Sequence, residues 1–170
     1  GNSFGGLFHN NSFGNNCQNN SFGNDCHNNS FGNFFQNNTF RDACHVNSFG
    51  NNCAGNSFGN FFQSTRFGND GYSNLFGNGC QDNSFGNNCQ NNSFGDYCNN
   101  NSFGNSFQNN SLGNNCYSNS FWNDCYSNTI GDYCKAITAF DNVYFCSITG
   151  GTSSLPVKNA QILNGTKGTS

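Results

Sequence analysis

Thiols and imidazoles are the groups in this chain best able to do chemistry: it has eleven cysteines and three histidines. Such groups bind soft metals when they converge, and a thiolate beside a base is a nucleophile. Their spacing argues against convergence. Cys17, Cys26, Cys44, Cys53, Cys80, Cys89, Cys98, Cys116, Cys125 and Cys134 are all separated by multiples of nine, and there is no Cys-x-x-Cys pair. The same column holds Phe8, Phe35, Phe62 and Phe107. A position that accepts Cys or Phe reads as a buried apolar site, where a free thiol acts as a small hydrophobe. His9, His27 and His45 follow that column by one residue. This predicts an outward row of imidazoles, with exposed surface histidine as the default reading. Cys146 lies off the register, which leaves a reactive thiol and a buried thiol as its two readings, the second the plainer. No catalytic residue, cofactor site or metal site is assigned. Catalysis needs convergent titratable groups in a cleft, and a narrow core filled with Phe offers none.

Aromatic side chains are the second candidate set. Tyr117, Trp122, Tyr126, Tyr133 and Tyr144 cluster toward the C-terminal end. Exposed aromatics can stack on a sugar or a partner protein, so these five are the expected contacts of any ligand. Trp122 stands where the pattern has glycine, which predicts an outward ring.

Composition excludes several classes. Only 8% of residues are charged, the net charge is -3 from eight Asp and five Lys or Arg, and the mean hydropathy is -0.70. Sparse cations cannot form a phosphate-binding stripe, so nucleic acid is not an expected partner. No apolar run approaches the roughly 20 residues of a membrane span. The chain has no Met and no visible signal peptide, and it opens inside a repeat at Gly1-Asn2-Ser3-Phe4. It reads as a processed product or a fragment.

What must position these residues is a nine-residue unit, Asn-Ser-Phe-Gly-Asn-x-Cys-x-Asn, running from residue 2 to about 134. A period this short means one structural rung repeated by stacking. The expected fold is an all-β solenoid. Its first inward anchor includes Phe13, Phe22, Phe31, Phe49, Phe58, Phe85 and Phe94, and its second is the Cys/Phe column four residues later. Asn precedes each anchor by two positions. Alternation in extended backbone puts it on the anchor's side, so both sets of Asn are expected inside, bonded in ladders. Gly after the first anchor is expected to supply positive φ at a corner, with the next Asn sharing that region. Outward residues segregate when read every 18 positions: all three His fall in one column, and Leu7, Phe61, Tyr97 and Tyr133 in another. Two nonapeptides per turn explain this; the alternative is a triangular turn of 27. The 18-residue turn puts Cys26 beside Cys44 and joins Cys80, Cys98, Cys116 and Cys134 in one stack. Parallel stacked side chains are poorly aimed for disulfides, so mostly free thiols are expected.

The layout resembles the pentapeptide-repeat family, whose four-sided coils point one apolar residue inward from each short face. The resemblance covers residues 2 to 134. That family steps by five throughout and prefers Ala where this chain has Asn, and Leu or Phe where it often has Cys. Asparagine-rich nonapeptides of this kind also look like repeats of bacterial and bacteriophage surface solenoids.

The repeat domain is assigned to residues 1–149 and a C-terminal cap or exit segment to 150–170, with Pro156 at an edge. The expected function is a non-enzymatic structural module: a rigid shaft, fibre or adhesin segment of a cell or virion surface. Its expected partners are further copies of itself, end to end or side by side, or a surface glycan. Two alternatives are kept. One is an ice-binding solenoid. The other is the topoisomerase-binding, DNA-mimicking role that the pentapeptide resemblance implies. Asn-x-Ser/Thr sequons such as Asn10 and Asn91 are the repeat written out, and glycans one rung apart would crowd. That favours a prokaryotic or viral source.

Overall fold

The computed structural model describes residues 1–134, 137–139, 144–148 and 161–162. Over this range the chain is a parallel β-solenoid, with no α-helix among the described residues. Each Ser-Phe pair forms a two-residue strand, and strands from alternate nonapeptides stack in two parallel sheets. Ser3 pairs with Ser21 and Phe4 with Phe22; Ser12 pairs with Ser30 and Phe13 with Phe31. The offset is 18 residues throughout the repeat, which settles the turn and excludes 27. Two further sides are lines of single parallel bridges. One runs His9, His27, His45, Gln63, Gln81 and the other Gln18, Gln36, Ala54, Tyr72, Gln90, Gln108. The cross-section therefore has four sides: a first sheet, a His side, a second sheet and a Gln side.

Phe fills the centre. Within each sheet the rings stack in parallel, as in Phe67–Phe85 at 4.8 Å and 1°. Across the core the two stacks meet edge to face, as in Phe76–Phe85 at 5.3 Å and 86°. Both arrangements suit the ring quadrupole, so one residue type satisfies the vertical and horizontal contacts at once. The second-anchor residues close the two narrow ends: Cys26, Phe35, Cys44 and Phe62 are fully buried. At the first rung Phe4, Phe8, Phe13 and Cys17 are only partly buried.

Polar satisfaction depends on two Asn ladders with different chemistry. The Asn two before the first anchor points inward as expected; Asn29, Asn56, Asn92 and Asn110 are buried. Asn92 is typical. Its Oδ1 accepts from Asn74 N at 3.0 Å and its Nδ2 donates to Gly71 O at 3.2 Å and to Asn110 Oδ1 at 3.0 Å. Every buried side-chain N or O among the described residues has a partner, as burial requires.

The Asn two before the second anchor corrects the sequence expectation: it faces out. Asn15 and Asn24 are exposed, and their Oδ1 atoms accept from the backbone N–H of Asn33 and Asp42 on the next rung at 2.8 and 3.1 Å. The cause is the next residue. Asp25 has φ 55° and Asn16 φ 62°, and a left-handed residue breaks the alternation that would have turned the amide inward.

The left-handed positions are a second correction. They fall one before and two after the second anchor, as at Leu7 and Asn10, not at the Gly after Phe. There the peptide reverses, so Leu7 N donates forward to Asn24 O while Gly23 N donates back to Phe4 O. Among the described glycines only Gly55 and Gly79 have positive φ. The Gly after Phe sits at a close approach between rungs: a Cβ at Gly23 would lie 2.5 Å from Gly6 N and 2.7 Å from Gly5 C. Arg41 and Trp122 stand in the same columns with exposed side chains.

Beyond the repeat, Thr138–Ala139 and Tyr144–Ile148 extend the two sheets, and Gln161–Ile162 adds an edge strand. The rest of the segment expected to cap the stack, with Pro156, lies outside the described residues.

Candidate functional site

The thiols occupy the narrow ends of the core and none of those described is in a disulfide. In one column Cys53, Cys89 and Cys125 are isolated from one another by Gly71 and Phe107. Burial pushes each of these three up to about 11. In the other column thiols are neighbours. Cys44 and Cys134 are held well above the ordinary thiol value, first by bonds to the thiols of Cys26 and Cys116 and then by burial. Two others in this column shift the other way: the bond from the Cys44 thiol brings Cys26 down to about 7, and the bond with Cys98 lowers Cys80. The raised, protonated thiols are packing groups, not nucleophiles. The side chain of Cys146 lies outside the described residues.

The three histidines form the predicted outward row. His9–His27 and His27–His45 stack at 4.9 Å with interplanar angles of 12° and 5°. Asn10 and Asn28 place amide nitrogens 3.2 and 3.3 Å from Nδ1 of His9 and His27. Parallel stacked rings do not aim their lone pairs at one point. Among the described residues no group of three His, Cys, Asp or Glu is arranged to hold a metal ion.

The five aromatic residues singled out in the sequence are placed on different sides. Trp122 projects outward over the second sheet, 46% exposed, with Nε1 donating to Ser102 Oγ at 3.3 Å. Tyr126 lies on the Gln side, its hydroxyl 3.2 Å from Asp124 Oδ1. Tyr117 lies on the His side, its hydroxyl 3.5 Å from Asn115 Oδ1. Tyr133 stands on the corner between the first sheet and the His side. Tyr144 begins a strand, and its side chain lies outside the described residues.

That corner gathers three exposed aromatic rings. Its column reads Leu7, Asp25, Ala43, Phe61, Gly79, Tyr97, Asn115, Tyr133, all with positive φ. Phe61, Tyr97 and Tyr133 are 56%, 55% and 63% exposed. Asn, Asp and Gly tolerate the left-handed region, whereas other L-residues lose roughly 1–2 kcal/mol there. A bulky ring at such a position gains no core burial to offset the strain. The equivalent column on the opposite corner carries one ring, Phe34. Its other described members are Asn16, Asn52, Asp70, Asn88, Ser106 and Asp124, short polar residues throughout. Sequence reading missed Phe61 and Tyr97 as candidates because it weighted nearness along the chain. Their shared column at an 18-residue turn was the available signal.

A shallow groove of about 480 Å³ lies on the Gln side, bordered by Asn52, Asp70, Tyr72 and Gln90. A second, of about 470 Å³, lies beside Gly5, Gly6 and Arg41 on the first rungs. No protein-family model, curated protein or solved structure matches this chain.

Proposed function

We propose that the chain is a non-enzymatic structural module, a rigid shaft or fibre segment of a cell or virion surface that assembles end to end. The observation that carries this reading is the unbroken register. Two sheets, two bridge lines and two Asn ladders run in phase along the repeat, so bending any one side strains the other three. Such stacks are stabilised rung by rung through nearest-neighbour contacts and suit mechanical spacing more than chemistry. Each rung joins the next through the same parallel bridges, so a rung of a second copy can continue the stack. Kinship with pentapeptide-repeat or surface-solenoid proteins belongs to this proposal: it rests on the inward anchors and four sides. Electron microscopy and sedimentation over a concentration series test assembly. Filaments one solenoid wide are expected; a monomer at every concentration refutes end-to-end assembly. Single-molecule pulling tests the shaft, and unfolding at forces typical of a loose helical bundle would refute it.

A second reading, ice binding, is favoured by the outer faces of the two sheets. Ser3, Ser21, Thr39 and Ser57 line one, and Ser12, Ser30 and Ser48 the other, as flat hydroxyl rows one rung apart. Leu75 and Arg66 interrupt them. Absence of thermal hysteresis at millimolar protein would eliminate it. The topoisomerase-binding alternative has no comparable observation in its favour.

A further inference from the structure

We infer that the corner carrying Phe61, Tyr97 and Tyr133 is a binding strip for an extended, uncharged β-1,4-linked glycan of the cellulose or chitin type. Three observations meet there. The first is strain without burial. All three rings are more than half exposed, and their backbones sit at φ 58°, 59° and 58°, where the repeat mostly uses Asn, Asp, Ser or Gly. Rings kept in a disfavoured backbone region with no core to fill point to a use outside the fold.

The second is spacing. The rings belong to every second rung of one straight column, which sets them ~9.6 Å apart at ~4.8 Å per rung. The intervening positions are cleared for them. Gly79 leaves room for the Phe61 ring, which a Cβ there would meet at 2.8 Å, and Asn115 is short. In a β-1,4-linked glycan each pyranose is turned over relative to the last, so the same sugar face recurs every second unit, close to two rungs. Rings on alternate rungs therefore meet equivalent faces of alternate sugars, and the apolar face of a pyranose stacks on an aromatic ring.

The third is charge. The outer ladder beside the rings runs Asn60, Asn78, Asp96, Asn114, Asp132, and neither it nor the ring column from 61 to 133 contains Lys or Arg. Amides and carboxylates suit the hydroxyls of a neutral sugar and repel an anionic polymer. Tyr117 adds a hydroxyl at this edge, beside Asn115.

The strip is independent of the shaft reading, since it acts in a single chain. The test is co-sedimentation of the whole chain with microcrystalline cellulose and with chitin, with cross-linked dextran as the α-linked control. Retention on a β-1,4 polymer and not on dextran is expected. The triple variant Phe61→Asn, Tyr97→Asn, Tyr133→Asn should lose at least tenfold in affinity while its melting temperature holds or rises, because Asn relieves the left-handed strain. Phe34→Asn, on the opposite corner, should bind as the parent does. Failure of the parent to bind either polymer, equal binding to dextran, or unchanged binding by the triple variant would overturn the inference. A fall in the triple variant's melting temperature would also overturn it, by showing that the rings serve the fold.

Discussion

The two Asn ladders make opposite predictions for the same one-atom change, Asn to Asp. In the inner ladder Asn92 uses both ends of its amide. Its Nδ2 faces two oxygens, Gly71 O at 3.2 Å and Asn110 Oδ1 at 3.0 Å. Replacing that NH2 with oxygen removes two donations, each about 1 kcal/mol net. A carboxylate there would be buried against carbonyl oxygens, so it would stay protonated. Holding a carboxyl of ordinary pKa ~3.9 neutral at pH 7 costs about 4 kcal/mol at ~1.4 kcal/mol per unit. The protonated acid can restore one donation, so Asn92→Asp should lose roughly 5 kcal/mol at pH 7 and about 1 kcal/mol near pH 3. The sign follows from linkage. The folded-state pKa is raised, so the unfolded chain binds fewer protons above pH ~4 and the variant loses stability as pH rises. In the outer ladder Asn87 needs only an acceptor, for Asn105 N at 2.9 Å. Asp42 and Asp96 already do this for Asn60 and Asn114 at 2.8 and 2.7 Å. Asn87→Asp should therefore change stability by less than about 0.5 kcal/mol. Urea melts of both variants between pH 3 and 7, each read against the parent at the same pH, check the pair. Equal losses for the two, or a pH-independent loss for Asn92→Asp, would refute the assignment of roles.

Phe85→Ala removes a ring stacked on Phe67 and edge-on to Phe76 and Phe94, and should cost roughly 3–5 kcal/mol in denaturant melts. Gly71→Ala should stabilise by about 0.4–1 kcal/mol, because its φ is not left-handed and the new Cβ would sit in ordinary contact, 3.5 Å from Cys89 Sγ. Raising the pH from 9 to 11 should unfold the chain progressively: Cys53, Cys89 and Cys125 rise from 9.0 to about 11 on folding, so the unfolded state loses protons first. Each thiol then takes away about 1.4 kcal/mol per pH unit, and a Cys53→Ala, Cys89→Ala, Cys125→Ala variant should show a flatter alkaline limb. Alkylation of the native protein at neutral pH should leave Cys80, Cys98 and Cys116 unmodified by mass spectrometry; rapid labelling would show that these sites open to solvent.

Periodicity alone specifies the rung and the two anchor columns, and the segregation of outward residues favours an 18-residue turn over one of 27. All three are regularities of side-chain type, and stacking makes a regularity into a contact: Phe67 must meet Phe85 once the turn length is known. The inner Asn ladder was legible for the same reason, since Asn29–Ser30–Phe31 is extended and alternates. Where the alternation breaks is a matter of tertiary contact. No residue type marks the left-handed positions, because Asn, Asp, Ser, Phe, Tyr and Val46 all occupy them. What holds them is the rung above, whose carbonyl accepts the reversed N–H: Gln63 O accepts from Val46 N at 3.0 Å. That reversal turns the Asn15 and Asn24 amides outward and lifts the rings of Phe61, Tyr97 and Tyr133 onto one edge. A pattern of types tells which residues recur together; the direction of each peptide is set only when the neighbouring rung offers a partner.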